Sequence, residues 1–126
     1  MKAVLFTFML SASAANAIEV PSGQPVELQE VLIDDMGEET WLRFRFVAPQ
    51  ISREAGAISY EQASEDMLHL CSMLALPYIA DFALEGDIII VSLADRQTEF
   101  GQPDPDATQF FEAFRPQGDT CMWEVL

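Results

Sequence analysis

Any chemistry in this chain would have to come from a short inventory: one histidine, two cysteines and 21 carboxylates. His69 follows Glu65 at i+4. A Ser-His-Asp arrangement needs a buried imidazole oriented by a carboxylate. At 100° per residue, His69 falls roughly 160° from the apolar stripe of its helix, so an exposed i,i+4 pair is expected instead. Cys71 and Cys121 lie too far apart in sequence for a C-x-x-C redox site or a zinc knuckle, and no second histidine joins them as ligand. Carboxylates are densest at Asp34/Asp35, Glu38/Glu39 and Asp104/Asp106. Sugar hydrolysis needs two carboxyls about 5–10 Å apart across a cleft, and nothing in the sequence selects such a pair. The D-x-D of "FGQPDPDA" offers two calcium ligands without the rest of an EF-hand loop. Helix capping by Asp104 is the simpler reading. P-loop, dinucleotide-binding and G-x-S-x-G motifs are absent. No catalytic residue, metal ligand or cofactor is assigned.

Net charge narrows the partners. Six basic residues stand against 21 acidic ones, and without Lys2 the chain has five arginines and a net charge of −16. Such a surface repels nucleic acid and anionic membranes. It favours solubility, and it would also suit a cation or a basic partner.

The first 17 residues, "MKAVLFTFMLSASAANA", read as a cleaved export signal. Lys2 precedes a short apolar run, and Ala15-Asn16-Ala17 fits the A-x-A cleavage pattern. The run is shorter than the ~20 residues that span a bilayer. Export to the periplasm or the exterior is expected, with no membrane attachment after cleavage. In an oxidising compartment, an even cysteine count favours a Cys71–Cys121 disulfide.

Residues 18–126 then form one domain. "IEVPSGQP" (18–25) reads as an extended arm. "VELQEVLIDD" changes apolar parity between Leu28 and Val31, which a bulge near Gln29-Glu30 would reconcile. "TWLRFRFVA" alternates strictly, with Leu42, Phe44 and Phe46 on one face and Trp41, Arg43 and Arg45 on the other. The two segments make a hairpin around Gly37. A helix begins at Ser59 with a Ser59/Gln62 capping box. Its stripe is Ser64, Met67, Leu68, Cys71, Leu74 and Ala75, and Pro77 should end or kink it. "DIIIVSLAD" reads as a central strand. "PDPDATQFFEAFR" is read as a second helix, from the Asp104-Pro105 cap and the spacing of Ala107, Phe110, Phe111 and Phe114; an aromatic strand is the alternative. "TCMWEVL" closes the chain as a strand with Cys121, Trp123 and Val125 on one face. The order is ββαβαβ: an α+β domain with a mainly antiparallel sheet covered by two helices and held by one disulfide.

The stretches "FRFVAP", "HLC", "IIIVSLADRQTEFG" and "QFFEAFRPQGDTCMWE" resemble a family of short exported proteins of unknown function from marine alphaproteobacteria of the Rhodobacter group. Both cysteines fall inside these stretches. The resemblance brings no activity, ligand or fold with it.

The function expected from these features is a non-enzymatic binding or interaction module with a protein or glycan partner. Trp41, Arg43 and Arg45 are its candidate surface, since tryptophan and arginine concentrate at binding hot spots. Alternatively, acidic neighbours such as Glu27 pair with the arginines across the hairpin, or a second layer covers Trp41. A small carboxylate-based hydrolase acting on sugars and a calcium-linked structural protein are the other classes.

Overall fold

A computed structural model of the protein describes residues 18–126. The predicted export signal, residues 1–17, lies outside them. The elements in chain order are β1 (Glu27–Asp35), β2 (Thr40–Val47), a 3₁₀ turn (Pro49–Ile51), a helix, β3 (Ile88–Ala94), β4 (Gln109–Gln117) and β5 (Thr120–Glu124). The helix has three parts: α1 (Tyr60–Leu70), a π-helical segment (Cys71–Ala75) and α2 (Leu76–Asp81).

The sheet order is β1-β2-β3-β4-β5, antiparallel except where β2 pairs parallel with β3. The parallel pair follows from chain length. The helix sits between these two strands, and a helical crossover returns the chain in the same direction. β1 meets β2 with a register shift between Leu28 and Glu30. The expected bulge is therefore present, and Leu28, Val31 and Ile33 pair with Phe46, Phe44 and Leu42. β4 turns into β5 through Gly118-Asp119, and Gly118 takes φ +64°, a conformation that favours glycine.

The helix covers one face of the sheet. Leu42, Phe44, Phe46, Ile89, Val91, Leu93 and Phe114 form a continuous core with Ala63, Met67, Leu70, Cys71 and Ala75. Gly86 allows the close approach at the edge of this core, because a Cβ there would stand 2.5 Å from Leu42 Cγ. Cys71 and Cys121 are joined, both buried, with Cα atoms 6.3 Å apart. The α+β class, the single small domain, the mainly antiparallel sheet and the disulfide are as the sequence indicated.

Several details differ. The segment expected as a second helix is strand β4, so the order is ββαβββ. Two forces favour the strand. β3 is buried along nearly its whole length, and its second edge must find hydrogen-bond partners; β4 supplies them from Ile89↔Phe114 to Ala94↔Gln109. Clustered phenylalanines also suit a pleated surface. The Asp104-Pro105 signature acts locally instead: Asp104 Oδ1 accepts from Asp106 N–H, and Asp104 O from Ala107 N–H, closing a turn.

The helical stripe is rotated from its expected position. Ala63, Asp66, Met67 and Leu70 are the buried residues of α1, while Ser64 and Leu68 are half-buried. The reason is Asp66. Its carboxylate accepts from Ser22 N–H (2.9 Å), Ser22 Oγ–H (2.5 Å) and Gln24 Nε2 (2.7 Å). The arm is therefore folded back rather than extended, with a bridge between Ile18 and Val26. His69 is half-buried, not exposed, and no ion pair joins it to Glu65 among the described residues. Of the two outcomes expected at Pro77, an end or a local irregularity, the structure has the second: the helix continues to Asp81. The π segment lies just before the proline, and Leu76 N–H bonds to Cys71 O, five residues back. This wider turn accommodates a residue that cannot donate its own hydrogen bond. Trp123 is only partly covered, and Val125 is exposed.

Candidate functional site

The face of the sheet away from the helix has no helix over it. β2 presents Trp41, Arg43 and Arg45 there, because side chains two apart on a strand share a face. β3 adds Ile88, Ile90 and Ser92, and β4 adds Phe111 and Ala113, as the cross-strand partners of that row. The sequence placed the three β2 side chains together and left three outcomes for them: an open interface, pairing of the arginines with acidic neighbours, or cover by a second layer. Arg45 is in fact buried, and Trp41 and Arg43 are half-buried.

Trp41 packs against Ile88, Ile90 and Ala113, and the loop between β3 and β4 covers Arg43 and Arg45. Its base is closed by Asp95 and Thr108, which exchange backbone and side-chain bonds: Asp95 N–H to Thr108 O at 3.0 Å, and Thr108 N–H to Asp95 Oδ1 at 3.1 Å. Its first turn is pinned at Thr98. Arg45 Nη2 donates to Thr98 Oγ1 (2.8 Å) and to Thr98 O (3.2 Å). Gln29 Nε2, on the bulge of β1, donates to Thr98 O at 2.8 Å, and Gln109 Nε2 to Thr98 Oγ1 at 3.0 Å. Phe100 then lies over both guanidiniums, 5.1 Å from that of Arg43 and 5.5 Å from that of Arg45. The bulge thus does more than restore the apolar parity of β1, because the residue it displaces holds the loop.

Between this loop and the sheet is a groove of about 420 Å³. Arg43, Ile90, Ser92, Ala94, Phe100 and Phe111 are among its lining residues, and Glu99 is the one carboxylate there. Its size falls at the lower end of small-ligand pockets, about 300–1,000 Å³.

The arginines of this face are paired with carboxylates, though not with Glu27, which stands opposite Val47. Arg43 Nε donates to Asp34 Oδ2 at 2.8 Å. Arg45 Nη1 donates to Glu30 Oε2. Arg115 bridges Glu39 and Glu124, both at 3.1 Å.

Groups whose proton affinity is displaced all move away from neutrality. The Arg96 guanidinium holds Asp95 below the usual carboxylate range, helped by the Thr108 N–H. Glu124 is lowered by its bond to Arg115, and Glu54 by its bond to Ser52. Tyr60 is pushed up to about 12, chiefly because its hydroxyl donates to Glu112. General acid–base catalysis needs the opposite, a group tuned toward the working pH. Asp104 and Asp106 are exposed and engaged in their turn, and among the described residues no cluster of three or more His, Cys, Asp or Glu could hold a metal.

Sequence reasoning missed the part played by Thr98, Phe100 and Asp95. The only trace of Thr98 and Phe100 was the loop "RQTEFGQ", and Asp95 stood at the end of the stretch "DIIIVSLAD" read as a strand. Anchors of this kind depend on which residues the fold brings opposite, and periodicity does not carry that information.

Comparison with curated proteins finds no match, and neither does comparison with solved structures. A family model described as a family of unknown function, DUF6497, matches residues 5–126, and the chain belongs to that family.

Proposed function

We propose that this protein is a non-enzymatic binding module that works outside the reducing cytosol, and that its ligand enters the groove under the β3–β4 loop. The observation that supports the reading is the preformed concavity. Its apolar walls surround the guanidinium of Arg43, and the supports of the loop are hydrogen-bonded before any ligand arrives. Binding sites of this kind are concave, mainly apolar and furnished with a few fixed polar groups. The concave shape suits a group that inserts rather than a flat macromolecular surface laid across Trp41, Arg43 and Arg45.

The lone groove carboxylate, Glu99, lacks the second carboxyl of glycoside hydrolysis, which weighs for binding over the hydrolase reading. The disulfide is compatible with an oxidising compartment, and the signal read at residues 1–17 would take the chain there. Expressed at its full length in a bacterium, the protein should be recovered from the periplasm beginning at Ile18, by intact mass. Pull-downs from that compartment should lose their captured ligands with Phe111→Asp, which puts a charge on an exposed wall of the groove. Identical capture by the variant and the parent would remove the groove from the reading.

A further inference from the structure

The chemistry of the groove narrows what it accepts; this step rests on the binding reading above. Two arginines reach the groove, but they are not equally available. Arg45 is committed, with Nη1 on Glu30 and Nη2 on Thr98. Arg43 spends only Nε, on Asp34. Among the described residues, neither of its terminal nitrogens has a hydrogen-bond partner. Its guanidinium lies 5.2 Å from the Trp41 ring centre and 5.1 Å from that of Phe100, so two aromatic contacts restrain it. A guanidinium held with its terminal nitrogens unspent presents the fork that grips a carboxylate through two parallel hydrogen bonds.

The rest of the lining decides what the carboxylate should carry. Ile90, Ala94, Phe100 and Phe111 offer an apolar wall, with Ser92 beside them as a hydroxyl. One available fork offers hydrogen bonds to one carboxylate, while Asp34 already shares the charge of Arg43. A phosphate ester, approaching two charges, would meet the same single guanidinium, the Glu99 carboxylate and a chain of net charge −16 in residues 18–126. We infer that the groove is a binding site for a small organic monocarboxylate bearing one aromatic or branched apolar group. Its carboxylate sits on the terminal nitrogens of Arg43, and its apolar body lies against Ile90, Ala94 and Phe111.

Hydrocinnamate, its neutral amide hydrocinnamide and inorganic phosphate serve as probes for the disulfide-intact protein. Binding is followed by backbone-amide chemical shifts in heteronuclear NMR. Hydrocinnamate should shift residues of β3 and of the loop around Phe100 saturably. The amide should bind about tenfold more weakly, the scale of one hydrogen bond to a charged group, and phosphate should leave these shifts unchanged. R43Q should weaken the acid several-fold more than the amide, closing most of the tenfold gap between them. General damage to the fold would weaken both probes together, so this difference isolates the carboxylate contact. Phe111→Ala, on an exposed wall, should weaken acid and amide alike. Equal binding of acid and amide, an equal loss of both with R43Q, or displacement of hydrocinnamate by phosphate would overturn the carboxylate assignment. So would the absence of any saturable shift. The binding reading fails separately: it falls only if Phe111→Asp leaves ligand capture from the native compartment unchanged.

Discussion

Strand β4 carries Phe114 into the helix-covered face and Phe111 onto the other. The first ring is 0% exposed and stacks near Trp123; the second is 61% exposed. The same contrast holds across the whole sheet. Under the helix, apolar side chains interlock and the Asp66 carboxylate is held by three donors, with Gln24 Oε1 the one buried side-chain polar atom among the described residues that lacks a partner. On the far side, Trp41 packs on Ile88, Ile90 and Ala113, while beside them the loop and the paired arginines leave a groove that reaches Ile90. One face is specified by packing density. The other is specified by a handful of hydrogen bonds, and such a face can admit a guest without dismantling the fold.

The sharpest way to break this contrast is to truncate the two rings in turn. Phe114→Ala should cost about 3–5 kcal/mol, because it empties a core site. Phe111→Ala should stay within about 0.5 kcal/mol, as at an exposed position. Denaturant unfolding of both variants checks the pair, and similar losses would mean that the far face is packed as tightly as the near one.

Reduction of the disulfide comes next. It closes a ring of 50 residues, and the chain-entropy model gives about 4 kcal/mol, with about 2–4 kcal/mol typical. Thermal unfolding with and without reductant reads it directly. The loss should appear as lower global stability, because both sulfurs lie in the core.

Arg45→Met should cost less, about 1–3 kcal/mol, the scale of a lost buried hydrogen-bonding group. It would free Thr98 from two of its four contacts. Hydrogen exchange should then accelerate in the loop between β3 and β4 while α1 and β3 stay protected. Uniform acceleration would show that the loop and the core are one cooperative unit.

A further effect is acid-dependent. Asp95 has a lowered pKa in the folded state, so its contribution is fully present above the unfolded carboxylate value of about 4 and is lost as pH falls through the lower, folded one. Hydrogen exchange in the loop should rise across that acid window. Asp95→Asn should remove the dependence at a cost of about 1 kcal/mol.

The sequence was most informative where a period repeats. The alternation of "TWLRFRF" identified β2 and both of its faces, and the parity change in β1 located the bulge. The Ser59/Gln62 box fixed the start of the helix, and both of its reciprocal bonds are formed. It was least informative where one local pattern serves two structures. Phe110, Phe111 and Phe114 satisfy a helical spacing, but the open edge of β3 decides for a strand, and that need is nonlocal. Asp66 shows the same limit. A charged residue at position 66 reads as solvent-facing until the arm supplies three donors to it. The groove depends on Thr98 and Phe100, which lie in a stretch without any period at all.

The covalent ring has a mechanical consequence. The bond between Cys71 and Cys121 encloses β3, β4 and the loop that roofs the groove, while β1, β2 and α1 lie outside it. Tension applied at the two ends of the polypeptide would pass from the helix straight through the sulfurs to the last strand, so the enclosed stretch would bear no load. A proteolytic nick in the roof would likewise leave a single covalent molecule, its two pieces tethered through the sulfurs.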